Sequence, residues 1–366
     1  MTTGRAAVFL GPKRPFEIRP YPLPKVEPGA ILVRVRLCTV CGSDIHIWKG
    51  EAPWRAFPAV LGHEMVGTVD ALGDGVRSDS LGRPLSPGDR VTYQYFYPCG
   101  ACYNCASGEP AACLNKNNYW ALSSSDESPH FRGGFAEYYY LPPRHWVFKV
   151  PPDLPDEYVA PVNCALSQVI YSLSRAGVRP GQHVVVQGAG GLGLYACAVA
   201  KEMGAAQVIA IDGIAERLRM AAAFGADRVI NLAEVKDARE RVDMVRRVSD
   251  GRGGADVVVE VAGVPQAIPE GISMVRAGGT YLVIGSISRG AMAEIDPSQL
   301  VLFSRKMIGV MTYEPWAVPH AISFLQRAKD KYPFGKLLSH KFPLDEVNRA
   351  FEMSIRGEVI RAALTP

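Results

Sequence analysis

No stretch of about 18 or more apolar residues occurs in this sequence, so no membrane-spanning helix is expected. The opening residues, MTTGRAAVFLGPKRP, lack the apolar segment of a signal peptide. Charge of one sign is also scarce: 40 basic against 36 acidic residues leave +4, and Lys and Arg form no stripe. Both features argue against nucleic acid and membrane as partners. Low-complexity tracts are missing, and no internal repeat stands out beyond a strand–helix alternation. The expected address is the cytoplasm, where thiols stay reduced. What is present is a chain of 366 residues, 48% hydrophobic and 21% charged. That is globular in composition and too long for one core, so about two domains are expected.

Cysteine is sparse, yet four of the eight fall in CGACYNCASGEPAAC, residues 99–113. Cys99, Cys102, Cys105 and Cys113 have the spacing C-x2-C-x2-C-x7-C. In a large chain with no secretory signal, two-residue gaps favour shared coordination over disulfide pairing. Four thiolates so spaced can wrap one tetrahedral zinc ion; an iron–sulfur cluster is the rival. With all four positions filled, such a zinc is structural.

The second landmark is HVVVQGAGGLGLYACAVAKEMGAAQVIAID, 183–212. An apolar β-branched run reads as a buried parallel strand. Gly188-x-Gly190-x-x-Gly193 follows, then a helical pattern, then a second strand ending in Asp212. A lone GxGxxG is weak, but here it lies between strand and helix with an acid 19 positions beyond its last glycine. That is the context of a dinucleotide-binding turn. Gly188 permits the tight turn, Gly190 admits the pyrophosphate to a helix N-terminus, and Gly193 allows close helix–strand packing.

Strands at 228–231, 255–263 and 279–287 continue the alternation, with helices at about 214–224, 238–249 and 265–275. The expected fold is α/β: residues 161–308 form a doubly wound parallel Rossmann sheet. Residues 1–160 read as a second, mostly β domain, with strands at 30–37, 65–72, 90–95 and 135–141. Residues 309–366, with helices at 317–329 and 344–354, are expected to return to that first domain.

Other residues of metal-binding type are Cys41, Ser43, Asp44 and His46 in VCGSDIH, His63 and Glu64 in LGHEMVG, and Cys164 in PVNCALSQ. Singly, each has a plain structural explanation. Cys38 and Cys197 read as packing residues, with Cys38 a minor rival ligand. Taken in order with the four-cysteine stretch, the glycine turn and the closing GEVIRAALTP, the set resembles the zinc-dependent alcohol dehydrogenases of the medium-chain dehydrogenase/reductase superfamily.

The resemblance implies a GroES-like catalytic domain beside the Rossmann domain, two zinc ions per chain, and NAD. Cys41, His63 and Cys164 match the catalytic zinc ligands; this family's two-Cys, one-His site is itself a standard example. Glu64 matches a carboxylate beside that zinc, and Ser43 and His46 match a proton relay. Asp44 is either an orienting partner of a ligand or a solvated loop acid. Gly191 and Leu192 lie in the dinucleotide turn, Arg217 matches a partner to the ribose, Ile284 and Gly285 match the loop at the nicotinamide, and Arg361 matches a pyrophosphate contact. Gly42 and Gln168 depart from the family pattern, where some members carry a basic residue and a small hydroxyl residue. The implied reaction passes a hydride between an alcohol and NAD, giving an aldehyde or ketone, in a cleft between the domains. Tyr95 matches a pocket position, and Trp48, Trp54, Phe96, Tyr119 and Trp120 lie in segments that could line a pocket for a medium-sized apolar alcohol. The resemblance implies a homodimer or homotetramer. A zinc-free reductase of the same fold and a non-enzymatic dinucleotide-binding protein are the rival functions; both fit poorly with a complete ligand set.

Overall fold

The computed structural model describes residues 2–51, 56–116, 123–288 and 290–366. It divides into two compact units. One holds residues 1–167, 314–329 and 334–366; the other holds 168–313 and 330–333. This division differs in detail from the expected 161–308. Cys164 stays with the first unit. Residues 330–333 belong to the second, because Tyr332 stacks on Phe224 and donates a hydrogen bond to Glu202 at 2.8 Å.

The first unit is mostly β. Strands β1 (Thr3–Phe9), β2 (Glu17–Pro22), β3 (Ile31–Thr39), β4 (Ala59–Val60), β5 (Glu64–Leu72), β6 (Arg90–Tyr93), β7 (Tyr138–Leu141) and β8 (Val147–Lys149) belong to it. β2, β1 and β4 make a small sheet. The alternation of Arg34 and Arg36 with buried neighbours gives β3 one wet and one dry face. β3 pairs with both β5 and β7.

The second unit is the doubly wound sheet. Its strands are β9 (His183–Gln187), β10 (Gln207–Asp212), β11 (Arg228–Asn231), β12 (Ala255–Glu260), β13 (Val275–Val283) and β14 (Lys306–Gly309), in the order β11-β10-β9-β12-β13-β14. All pairs are parallel. β9 is buried along its whole length, as parallel strands covered on both faces must be. The order reverses between β9 and β12, which places a ligand crevice at the carboxyl end of β9.

The tail supplies β15 (His340–Pro343) and β16 (Ala362–Thr365) to the first unit's seven-stranded sheet, whose order is β15-β16-β3-β5-β6-β8 with β7 paired to β3 off that path. β1, β2 and β15 were not anticipated: proline or charge interrupts their alternation. Each unit has its own apolar core. Among the described residues no helix is long and apolar enough to cross a membrane.

Candidate active site

Three separate pieces of the first unit build one cluster. β3 ends and Cys41 opens the helix Gly42–Lys49, with extended backbone at the N-cap. Asp44, three residues on, accepts the Cys41 N–H at 2.9 Å, which fixes the thiol at the helix start. His63 and Glu64 sit where β5 begins. Gly62 before them has φ +87°, and a Cβ there would meet the Phe135 ring at 2.5 Å, so the turn that presents His63 requires glycine. Cys164 lies in a single π-helical turn, Val162–Leu166, all five residues buried; such turns are frequent at functional sites.

Ligand atoms of Cys41, His63, Glu64 and Cys164 all lie within 4.8 Å of one another, and all four residues are buried. His63 Nε2 is 3.3 Å from Cys164 Sγ. On the ring's other side Nδ1 lies 3.6 Å from Asp44 Oδ1, so Asp44 is the orienting carboxylate, not a solvated loop acid. The His63 carbonyl accepts from Asn163 Nδ2 at 2.7 Å and from the Tyr93 hydroxyl at 3.0 Å. Cys38 is buried with its thiol turned to the Thr39 carbonyl and lies outside the cluster.

The electrostatics fit a divalent cation. The contact between the Cys41 and Cys164 thiols holds Cys41 well below its ordinary pKa and pushes Cys164 well above. Burial opposes charge on His63, but Asp44 and Cys41 outweigh it and lift the ring to about 10. Burial raises Glu64 to about 7 against the pull of Arg361. Buried Glu64 Oε1 has no hydrogen-bond partner, a state that a cation in the cluster would compensate. Two thiols and one imidazole, with a carboxylate beside them, suit zinc.

The strand register explains a contact the sequence hid. Ala363 of β16 pairs with Thr39 of β3, and Thr39 pairs with Glu64 of β5. Arg361, two residues before Ala363, is thereby brought to Glu64. Its guanidinium and the Thr39 hydroxyl both bond Glu64 Oε2.

The second cluster is local. Sγ–Sγ distances are 3.5 Å for Cys102–Cys105, 3.5 Å for Cys99–Cys113 and 3.8 Å for Cys102–Cys113. A tetrahedral ion with metal–sulfur bonds of about 2.3 Å needs sulfurs about 3.8 Å apart. Backbone amides aid the set: N–H groups of Cys105 and Leu114 draw Cys102 down to about 6, and Cys99 N donates to Cys113 Sγ at 3.2 Å. All eight cysteines are free thiols.

In the second unit β9 runs into the glycine turn. Gly188 has φ +102°, and a Cβ there would lie 2.9 Å from Ala262 N; one on Gly193 would lie 1.9 Å from the Gly188 oxygen. Gly190 differs: nothing lies within 4 Å of its would-be Cβ. No protein atom demands glycine there, so the open space fits an approaching dinucleotide at the start of helix Gly191–Glu202, whose first turn carries Leu192. Asp212, at the end of β10, accepts the N–H of Ala189 at 2.8 Å and of Ile214 at 2.9 Å. Arg217 Nη1 stands 3.8 Å from its carboxylate. Ile284 and Gly285 donate their N–H groups to the Glu260 carbonyl. The fully buried Glu260 carboxylate takes the N–H groups of Gly263 at 2.6 Å and Ser286 at 3.0 Å. Sequence reasoning missed this tie between two strand-end loops; the acid directly after three buried valines was the available signal.

Comparison with known proteins agrees with this geometry. Residues 27–152 match the alcohol dehydrogenase GroES-like domain family and 191–327 the zinc-binding dehydrogenase family. A 5-exo-hydroxycamphor dehydrogenase of Pseudomonas putida is 34% identical over 366 residues, covering 100% of this chain and 99% of its own. The chain belongs to the zinc-dependent alcohol dehydrogenases of the medium-chain dehydrogenase/reductase superfamily. An alcohol dehydrogenase from Thermotoga maritima superposes with TM-score 0.95 at 31% identity over 100% of both chains. A protein from Sinorhizobium meliloti solved with NADP gives TM-score 0.87 at 26% identity, again over 100% of both chains. The chain is thus a zinc-dependent dehydrogenase acting on a CH–OH group with a nicotinamide cofactor.

In this dehydrogenase Ser43 and His46 stand three residues apart on one face of helix Gly42–Lys49. Ser43 is half-buried. His46 reaches the surface, where its Nδ1 pairs with Glu51 just beyond the helix. Tyr95 packs beside the His63 ring, centroids 4.9 Å apart, and its other side touches Phe96. Trp48 packs against the first core and donates to the Arg14 carbonyl at 3.0 Å, so it is a packing residue. Trp54, Tyr119 and Trp120 lie outside the described residues. Gln168 Nε2 reaches the Val310 carbonyl at 3.3 Å, within the second unit.

Proposed function

We propose that this dehydrogenase oxidises a medium-sized apolar alcohol to its aldehyde or ketone, prefers NAD over NADP, and carries two zinc ions per chain. The observation that carries the reading is the buried cluster of Cys41, His63 and Cys164. A zinc ion bound there would supply Lewis-acid polarisation of the substrate oxygen, and a bound nicotinamide would supply the hydride acceptor. The rest is the work of side chains. Cys41, His63 and Cys164 hold the metal, and Asp44 keeps the His63 ring turned toward it. Oxidation of CH–OH to C=O releases one proton besides the hydride. The Ser43 hydroxyl would take that proton as it gives up its own, and His46, one turn on at the surface beside Glu51, would hand a proton to water. Glu64, steadied through one oxygen by Thr39 and Arg361, offers its other oxygen to the metal.

Support for NAD comes from Asp212. Two of its acceptor positions are occupied by amides, which orient the carboxylate at the strand end, and others remain for ribose hydroxyls. A 2′-phosphate there meets a like charge that Arg217 offsets only in part. The preference is about two orders of magnitude, from about 3 kcal/mol of repulsion and lost hydrogen bonding. Tyr95 beside His63 supports an apolar pocket. Free thiols throughout suit a reducing cytoplasm, and the unpaired outer edges of β11 and β14 suit a homodimer or homotetramer. A panel of alcohols and ketones, followed by nicotinamide absorbance with each cofactor, tests the reading. Turnover of an apolar alcohol with NAD supports it; turnover with no alcohol under either cofactor contradicts it.

A further inference from the structure

The second unit holds a cavity of about 390 Å³ for which the proposed reaction has no use. Its walls come from β10, β11 and the end of helix Ala238–Arg247. Ile209, Val229, Ile230, Met244 and Val248 make it mostly apolar. The other two lining residues are Arg228, the first of β11, and Arg247, the last of the helix. No carboxylate lines it. Ile209 and Ile230 are buried, whereas both arginines are exposed, so the cavity has an apolar floor and a cationic rim. Gln207 ties that rim together. With its amide oriented to satisfy both ends, it donates to the Val248 carbonyl at 3.0 Å and accepts from Arg228 Nε at 3.3 Å. The Arg228 Nε is thereby fixed, while its terminal nitrogens keep their donors spare. Arg247 makes no side-chain hydrogen bond or ion pair among the described residues.

We propose that this cavity binds an amphipathic carboxylate, its medium-length apolar body on the Ile209 and Ile230 floor and its head group at Arg228 and Arg247. An inorganic oxyanion fits poorly, because the floor offers its oxygens no donor. A neutral apolar molecule leaves two guanidiniums unused, whereas a carboxylate accepts paired N–H bonds from such planar forks. The volume lies within the range of small-molecule sites, about 300–1,000 Å³. The site is separate from the cofactor turn. Ile209 pairs with Arg228 where β11 begins, whereas Asp212, which accepts an N–H of the glycine turn, pairs with Asn231 where β11 ends. The carboxylate brings no group to the reaction. It binds the folded second unit and so stabilises it.

The test is calorimetric titration of the zinc-loaded protein with octanoate, with NAD present throughout so that the glycine turn is filled. A dissociation constant of about 0.1–1 mM is expected for a guest of about ten non-hydrogen atoms. Acetate, the head group alone, and octanamide, the same body without charge, should each bind at least about tenfold more weakly. Arg247→Gln alters a side chain that bonds nothing in the protein, so it should keep alcohol turnover and weaken octanoate about tenfold. Adding Arg228→Gln should remove measurable binding. Val229→Trp, on the exposed edge of β11, keeps both charges but narrows the cavity, and should also weaken octanoate about tenfold. No octanoate binding in the parent overturns the proposal. So does unchanged affinity in the double arginine variant, which would put the carboxylate elsewhere, the catalytic cluster included. Equal affinity for octanoate and octanamide, or full affinity in Val229→Trp, also overturns it, the first by removing the head-group contact and the second by removing the cavity.

Discussion

The two cysteine clusters of this chain use similar ligands in opposite ways. Cys99, Cys102, Cys105 and Cys113 come from fifteen consecutive residues, lie near the surface, and close a complete four-sulfur set. Cys41, His63 and Cys164 come from three distant segments and are buried, with Glu64 among them. The local set needs little more than its own turns and amides. The distributed set exists only when β3, β5 and the π-turn are assembled, so it inherits the rigidity of the core. An open, buried site supports chemistry; a closed, shallow one contributes to folding stability.

Substitutions can break that contrast. Cys164→Ser should lower kcat by about 10³-fold or more, because a ligand of the reacting centre is lost, while circular dichroism shows the fold intact. Near-normal turnover would return Cys38 or Glu64 to consideration as the third ligand. Next in size, Asp212→Ser should erode the NAD preference by about 30-fold in the ratio of kcat/KM values; equal efficiency with both cofactors in the parent would show that Asp212 does not read the ribose. His46→Gln should slow alcohol oxidation by about tenfold near neutral pH with zinc retained. The deficit should shrink as pH rises, since hydroxide then takes the proton without the imidazole. A deficit that grows with pH, or zinc loss, would refute the relay. Cys102→Ser should change turnover least, within about twofold, yet lower Tm by about 5–10 °C. A large kcat loss at unchanged Tm would mean that the two clusters are not divided as described.

The same contrast explains what could be read in advance. The four-cysteine spacing and the glycine turn are contiguous, so their chemistry is visible in the string itself. The parallel sheet follows from strand–helix alternation. The distributed ligands were reachable only through family resemblance, because nothing local links Cys41 to Cys164. Contacts set by tertiary register stayed hidden. The resemblance gives Arg361 a pyrophosphate contact; within the first unit its guanidinium also bonds Glu64, because β16 pairs with β3. Asp44 could not be told from a loop acid until its burial behind His63 was known. Asn163, Tyr93 and Glu260 act through backbone groups of other segments and carry no motif.

Zinc analysis of the purified protein beside Cys164→Ser and Cys102→Ser tests the central claim most directly. The account predicts about two zinc ions per chain in the parent and about one in each variant, with activity lost only in the first. Two zinc ions and full turnover retained by Cys164→Ser, or a parent protein that binds none, would contradict it.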